Sequence, residues 1–180
     1  MNSRYVKSLG HKYLPEFVYG GMDGAITTFA IVSGVMGASL SSSIILILGF
    51  ANLVADGFSM AVSNYMSTSS RNDLVKRIKG AERKNPLKTS IATFVSFFII
   101  GFIPLFSFVL AAITNNPNIE INQFIYSIFF TVLALGFVGW FKGKITEKNR
   151  ITSSIQTIII GGIAASLAFL IGFLIKNLIS

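Results

Sequence analysis

The chain has 180 residues, of which 52% are hydrophobic and only 12% are charged, and its mean hydropathy is +0.69. Because a soluble domain carries about a quarter charged residues, this composition indicates a membrane protein. The absence of cysteine excludes disulfides and thiolate metal sites, and the single histidine, His11, excludes a zinc site built from several histidines of one chain. The formal net charge is +8, and its distribution along the chain carries more information than its sum.

Five apolar runs are long enough to cross a bilayer, which takes about 20 helical residues. They cover residues 17–40, 44–66, 88–113, 121–141 and 152–176. We therefore predict an all-α fold, a single transmembrane domain over residues 1–180 with five spanning helices. The first run is too long for the apolar core of a signal peptide and contains an acid, so we expect no cleavable signal.

The basic residues of the predicted loops fall almost entirely on one side of a five-span topology. The N-terminal arm has three, the 67–88 connection has seven and the 142–151 connection has four, whereas the other side has only Lys176. Since Lys and Arg favour cytoplasmic loops, we predict a cytoplasmic N-terminus and a C-terminus outside. The basic residues are Arg4, Lys7 and Lys12; Arg71, Lys76, Arg77, Lys79, Arg83, Lys84 and Lys88; and Lys142, Lys144, Lys148 and Arg150. We expect them to contact anionic lipid headgroups rather than nucleic acid.

The connections between the runs predict local structure. Only SLSSS separates the first two runs, which favours a tight antiparallel hairpin. The connection before the third run is about twenty residues long, and its first part is expected to extend the second helix into the cytoplasm. Asn85-Pro86 has the pattern of a cap and first-turn pair that opens the third helix. Pro104 is expected to kink that helix.

Two acids, Asp23 and Asp56, lie within the predicted spans, and an ionisable residue at such a position is a candidate functional residue. Residues spaced by four on a helix share one face, so the second span carries a polar stripe. That stripe consists of Asn52, Asp56, Met60 and Asn64. On the first span Glu16 and Asp23 are seven residues apart and also share a face.

We can estimate depth by counting from the cytoplasmic ends at about 1.5 Å per residue. The count places Asp23 level with Met60, and Asp56 near the midplane, level with Thr27. Glu16 and Asn64 then lie near the cytoplasmic mouth, and Asn52 lies deepest. This ladder contains no Lys or Arg, so a bound cation would neutralise its acids.

Carboxylate and amide oxygens beside a thioether favour a transition metal over Mg²⁺ or Ca²⁺, and Fe²⁺ or Mn²⁺ fits best. Protonation is the other way to stabilise a buried carboxylate. A site that can hold either a metal or protons has the components of metal–proton exchange.

Structural roles remain open for several of these residues. Asn52 and Asn64 could simply join helices by hydrogen bonds, and Met60 could fill a gap in the packing. Glu16 could counter a nearby lysine. The glycines around Asp23 could allow close helix packing, expose carbonyls to an ion, or do both, whereas those of the fifth span are predicted to serve packing.

The segments YGGMDGAITTFAIVSGVMGA and ANLVADGFSMAVSNYMSTSSRND resemble the paired first and second helices of the vacuolar iron transporter family, and the similarity covers residues about 16–176. The resemblance implies a five-span protomer that forms a homodimer, with the metal path at the two-fold interface. It also implies that Fe²⁺ or Mn²⁺ leaves the cytoplasm in exchange for protons, and that Asp23 and Met60 are metal ligands within the membrane.

The chain also departs from the family pattern. Many relatives have Glu at the position of Asn52, Gly at that of Asp56 and Glu at that of Asn64. The acid has thus moved one turn along the same stripe. Several eukaryotic relatives carry a cytoplasmic metal-collecting helical domain between the second and third spans, which in this chain is a basic connection of about twenty residues.

The sequence therefore predicts a dimeric transporter that exports Fe²⁺ or Mn²⁺ against protons. The metal is its substrate, and no cofactor is expected. The predicted ligands are Asp23, Asp56 and Met60, with Asn52, Asn64 and Glu16 in supporting positions. The alternatives are a small proton-coupled carrier of organic cations and a membrane scaffold that transports nothing. No nucleophile–base pair or nucleotide loop suggests an enzyme. We expect a bacterial inner membrane, or a vacuolar membrane if the protein is eukaryotic.

Overall fold

The structure, a computed structural model, describes residues 3–77, 83–114 and 116–179, with side chains from Lys12 onward except that of Arg77. Every regular element in these ranges is helical. The α-helices are α1 (Ser3–Gly37), α2 (Ser42–Leu74), α3 (Pro86–Phe102), α4 (Phe106–Thr114), α5 (Pro117–Ile145) and α6 (Arg150–Ile179). Short 3₁₀ turns follow α2 at Val75–Arg77 and join α3 to α4 at Ile103–Leu105.

Four of the long helical segments in the described chain are apolar enough to cross a membrane, namely α2, the consecutive pair α3–α4, α5 and α6. The all-α prediction is therefore confirmed, and the protein is a multi-pass membrane protein. Helix α1 is 35 residues long but falls outside this set, since its first part is polar and its second part contains an acid. A fifth span remains a prediction that rests on α1.

The helix ends follow the local sequence. The Asn85 side chain accepts hydrogen bonds from the backbone N–H groups of Leu87 and Lys88, and Pro86 occupies the first turn of α3, so the predicted cap is confirmed. Pro104 lies within the 3₁₀ turn that separates α3 from α4, as expected of a residue that cannot donate to the helical ladder. Helix α2 continues beyond the apolar run to Leu74, also as predicted.

Helix α1 lies at the centre of the packing, with its most extensive contacts to α3 and α6, whereas α2 packs mainly against α3. Glycines allow these close approaches. A Cβ at Gly24 would overlap the Phe97 carbonyl of α3, and one at Gly172 of α6 would overlap the Gly34 carbonyl of α1. Gly162 differs, because a Cβ there would meet nothing within 4 Å, so the expectation that every glycine of the last span serves packing is wrong at this position.

The described basic segments gather at one end of the bundle. Lys84 forms an ion pair with Glu16 in the first half of α1, and Lys142 of α5 lines a cavity with Pro15. At the opposite end, Lys176 donates a hydrogen bond to Ser39 in the turn between α1 and α2. Helices α1 and α2 are thus antiparallel, as predicted. Lys79 and the side chains of Arg4, Lys7, His11 and Arg77 lie outside what the structure describes.

Candidate metal-transport site

The turn between α1 and α2 fixes which residues face each other across this pair. Helix α1 ends at Gly37 and α2 begins at Ser42. Thr27 lies ten residues before Gly37, and Asn52 lies ten residues after Ser42. The Asn52 amide nitrogen lies 3.4 Å from Thr27 Oγ1 and 3.5 Å from Thr28 Oγ1, so residues at equal distances from the turn are level.

This register is one turn away from the sequence prediction. Thr27 is level with Asn52 rather than with Asp56. Asp23 and Asp56 both lie fourteen residues from the ends that flank the turn, so the same register places these two acids level with each other. The sequence-based depth count was wrong because it started from the cytoplasmic ends of the apolar runs, whereas α1 begins earlier, at Ser3, and α2 continues further, to Leu74.

Asp23 and Asp56 are the two acids of this pair of helices at the same depth. Both side chains are half-buried, and within the described residues no hydrogen bond or ion pair engages either carboxylate. Two like charges in an apolar span are unfavourable unless a cation or protons compensate them. The pair is therefore the part of the molecule best suited to a positively charged ligand.

Asn52 and Asn64 both join helices in this structure. Asn52 contacts the two threonines of α1 across the α1–α2 pair. The Asn64 amide nitrogen donates to Thr93 Oγ1 of α3, and its carbonyl oxygen accepts from Thr68 Oγ1 at 3.2 Å. Both asparagines thus have the helix-joining role that the sequence left open. The Asn64 side-chain oxygen accepts one hydrogen bond here, so its second lone pair could still bind a ligand.

Met60 and Glu16 line a cavity of about 430 Å³ between α1 and α2, which we call the inner cavity. Its lining also includes Pro15, Tyr19, Ser63, Asn64 and Ser67. Met60 is level with Tyr19, since each lies eighteen residues from the end that flanks the turn. It therefore sits one turn from Asp23, toward the basic end, instead of directly beside it as the sequence predicted.

A second cavity of about 200 Å³, the outer cavity, adjoins the first at Glu16 and leads toward the basic end. Its other lining residues are Asn64, Ser67, Thr68, Arg71, Asn72 and Lys84. The Lys84 ammonium lies 2.8 Å from Glu16 Oε1, so the prediction that no basic residue joins the ladder is wrong. The alternative that Glu16 counters a lysine is confirmed.

Sequence reasoning missed several residues of the cavities. Ser63 and Ser67 continue a four-residue spacing along α2, so the helical period alone could have indicated them. Lys84 lies 68 residues from Glu16, and no local pattern could have indicated that contact.

The glycines beside Asp23 serve packing. A Cβ at Gly20 would overlap Thr93 O and Ser96 Oγ, and one at Gly21 would come within 3.1 Å of Ile100. Together with Gly24, these residues bring α1 against the backbone of α3. Because α3 covers this side of α1, the structure favours the packing role over the role of exposing carbonyls to an ion.

One copy of the chain offers few ligands. Within the described residues, no three His, Asp or Glu side chains converge to hold a metal ion. The candidate metal ligands of one copy are the Asp23 and Asp56 carboxylates, the Met60 thioether one turn away and the Glu16 carboxylate beyond it. A hexacoordinate transition metal would need further oxygens from water or from a second copy.

Comparisons with known proteins agree with the resemblance read from the sequence. The chain is 26% identical to the vacuolar iron transporter of Plasmodium berghei, over 94% of this chain and 85% of that protein. It is 29% identical to vacuolar iron transporter homolog 4 of Arabidopsis thaliana, over 90% of this chain and 82% of that protein. The Plasmodium alignment extends over 231 residues, more than this whole chain, so that relative carries inserted residues.

A family profile also matches most of the chain. A profile of the VIT family matches residues 14–85 and 75–173, in two segments that meet at the connection between α2 and α3. The curated relatives are named as transporters, in agreement with the prediction that the chain is not an enzyme. The matched segments contain every predicted site residue, and the chain belongs to the VIT family.

Proposed function

We propose that this protein transports a divalent transition metal, Fe²⁺ or Mn²⁺, out of the cytoplasm in exchange for protons. The observation that carries the proposal is the level placement of Asp23 and Asp56 across α1 and α2, with no other side chain of the described residues to compensate them. Membership of a family whose curated relatives are named vacuolar iron transporters supports a metal as the cargo.

The chemistry of the two acids suits exchange. When a metal is bound, the carboxylates supply hard oxygen ligands and Met60 supplies a softer sulfur one turn away, a set that favours Fe²⁺ or Mn²⁺ over Mg²⁺. When the metal leaves, the same carboxylates can take protons, because two unpaired charges in an apolar span are unfavourable. Metal and protons would then occupy one site alternately, which is the requirement for antiport.

We propose that the working unit is a homodimer whose axis lies beside α2. A stripe of small residues with four-residue spacing, Ala51, Ala55, Ser59, Ser63 and Ser67, runs along the exposed side of α2. Small residues at this spacing allow helices to pack closely in membranes. The stripe adjoins the polar one that contains Asp56, so a second copy docked there would bring two more carboxylates near the first pair.

We propose that α1 is a fifth span and that the basic end of the bundle faces the cytoplasm. The described Lys and Arg residues of the connections gather at the end where Glu16 and both cavities lie. By the positive-inside tendency, the metal would enter from the cytoplasm through the outer and inner cavities. The membrane in which this occurs is expected to be a bacterial inner membrane, or a vacuolar one in a eukaryote.

Reconstitution into liposomes tests the proposal. With an imposed proton gradient, flux of Fe²⁺, Mn²⁺, Co²⁺ and Zn²⁺ is measured for the wild type and for Asp23→Ala. We expect flux of Fe²⁺ or Mn²⁺ in the wild type and its loss in the variant. No flux of any divalent ion would refute metal transport, whereas equal flux in the Asp23→Ala variant would refute the assignment of the site. Flux of an organic cation alone would favour the alternative carrier.

A further inference from the structure

Glu16 lines both the inner and the outer cavity, on the same side of the acid pair as the basic end of the bundle. Its side chain is only 12% exposed. Oε1 accepts a hydrogen bond from Lys84 Nζ at 2.8 Å, whereas Oε2 is buried and has no hydrogen-bond partner within the described residues. A buried carboxylate oxygen without a donor is unfavourable, so this oxygen points to a further ligand at Glu16.

Lys84 is held in position by its backbone. The Asn72 side chain of α2 donates to the Lys84 carbonyl oxygen at 2.7 Å, and Lys12 Nζ of α1 donates to the Arg83 carbonyl oxygen at 2.9 Å. The next residue, Asn85, caps α3. The segment 83–85 is thus joined to three helices. The Lys84 side chain, 26% exposed, extends from this fixed segment into the outer cavity.

We propose that Lys84 is a tethered counter-ion for Glu16 that an incoming divalent cation must displace, and that this exchange determines which ions pass from the outer to the inner cavity. The inference rests on the proposed function. In the resting state the Lys84 ammonium balances the charge of Glu16. A divalent cation carries twice that charge and can use both carboxylate oxygens, including the unpartnered Oε2. A monovalent cation carries the same charge as the Lys84 ammonium, so it gains no electrostatic advantage over Lys84 and leaves the ion pair intact.

The kind of basic residue matters for this role. A lysine ammonium is a compact charge on a flexible stem, so it can leave the carboxylate while the backbone stays fixed. An arginine would bind both carboxylate oxygens with its planar fork and occupy Oε2 as well. The exchange model therefore predicts opposite effects for removing the charge of residue 84 and for strengthening the ion pair.

The test measures equilibrium Mn²⁺ binding to the full chain in lipid nanodiscs, from the loss of the free-ion EPR signal. Lys84→Met should tighten Mn²⁺ binding by roughly tenfold, the effect of one close unit charge on a partly buried site. Lys84→Arg should weaken it. Lys88→Met is the matched control, because it removes one exposed charge from the same end of the bundle, and it should change binding less than about twofold, as expected for a screened surface charge.

The outcomes separate this inference from the proposed function. Equal Mn²⁺ affinity in the Lys84→Met and Lys88→Met variants would overturn the proposed role of Lys84. Unchanged Mn²⁺ affinity in the Lys84→Arg variant would also overturn it. This second variant keeps the ion pair with Glu16, so it can be measured even if the Lys84→Met variant does not fold. Glu16→Gln in the Lys84→Met background should abolish the gain in affinity. If the wild type binds Mn²⁺ but shows no flux in liposomes, the proposed function fails while the affinity differences still decide the role of Lys84. Absence of Mn²⁺ binding in every variant would overturn both.

Discussion

Gly24→Ala is expected to destabilise the protein and to impair transport, because Gly24 lies next to Asp23 at a close approach between α1 and the backbone of α3. The added Cβ would overlap the Phe97 carbonyl oxygen and would lie 3.0 Å from both the carbonyl carbon and Cα of Phe97. On the other side of the contact, a Cβ at Gly101 would lie 2.9 Å from the Gly24 carbonyl oxygen, so backbone faces backbone. No flexible side chain can move aside, and the helices themselves must separate.

The expected magnitude follows from the size of that separation. Ordinary contact begins at 3.4 Å, so α1 must shift by several tenths of an ångström or more. Overpacking of this kind costs about 1–3 kcal/mol. For a chain of this size, 1 kcal/mol corresponds to about 2–4 °C in the unfolding midpoint, so we expect a decrease of roughly 2–12 °C. Because Asp23 is the adjacent residue, Mn²⁺ flux should fall as well.

Thermal unfolding in detergent micelles and Mn²⁺ flux in liposomes measure the two effects. Gly162→Ala is the matched control, since a Cβ there meets nothing within 4 Å and the substitution adds the same methyl group to a helix. It should leave both quantities unchanged or slightly raise the midpoint, because Ala favours helix over Gly. Equal behaviour of the Gly24→Ala and Gly162→Ala variants would refute the reasoning that backbone approach at Gly24 positions the site.

Three further predictions concern the polar residues and the exposed side of α2. Asn64→Leu removes the hydrogen bonds with Thr93 and Thr68 and should destabilise the protein by about 1–2 kcal/mol in detergent unfolding; a neutral effect would contradict the helix-joining role. Asp56→Asn should weaken Mn²⁺ binding at least about tenfold, or about 1.4 kcal/mol, by equilibrium titration, and unchanged affinity would exclude Asp56 from the site. Since the chain lacks cysteine, a single introduced cysteine reports on the dimer interface. Ser59→Cys on the small-residue stripe should form an intermolecular disulfide under mild oxidation, whereas Ile163→Cys on the exposed side of α6 should not. The reverse result would place the dimer axis away from α2.

The sequence predicted the helices well because their signals are local. The length of the apolar runs, the Asn85-Pro86 cap and the break at Pro104 all depend on neighbouring residues. The polar stripe on α2 follows from the helical period alone. Helix α1 was harder to judge, because its apolar run begins inside a longer helix that starts at Ser3.

The relative position of the helices could be predicted only with the right reference point. Counting from the assumed membrane boundaries placed Asp23 beside Met60, whereas counting from the turn at Gly37 and Ser42 places it beside Asp56. The turn is a covalent constraint, and the membrane boundary of a helix is not. The contact between Lys84 and Glu16 depends on how α3 packs against α1, which no pattern in the sequence encodes locally.

The proposed exchange at the acid pair is tested most directly by following Mn²⁺ and protons in the same vesicles. Lumenal pH and Mn²⁺ uptake are recorded together in liposomes that contain the wild type or Asp23→Asn, a substitution that keeps the shape of the side chain. We predict that Mn²⁺ and protons move in opposite directions in the wild type and that both movements stop in the variant. Mn²⁺ uptake that proceeds without proton movement, or that persists at the wild-type rate in Asp23→Asn, would contradict exchange at this site.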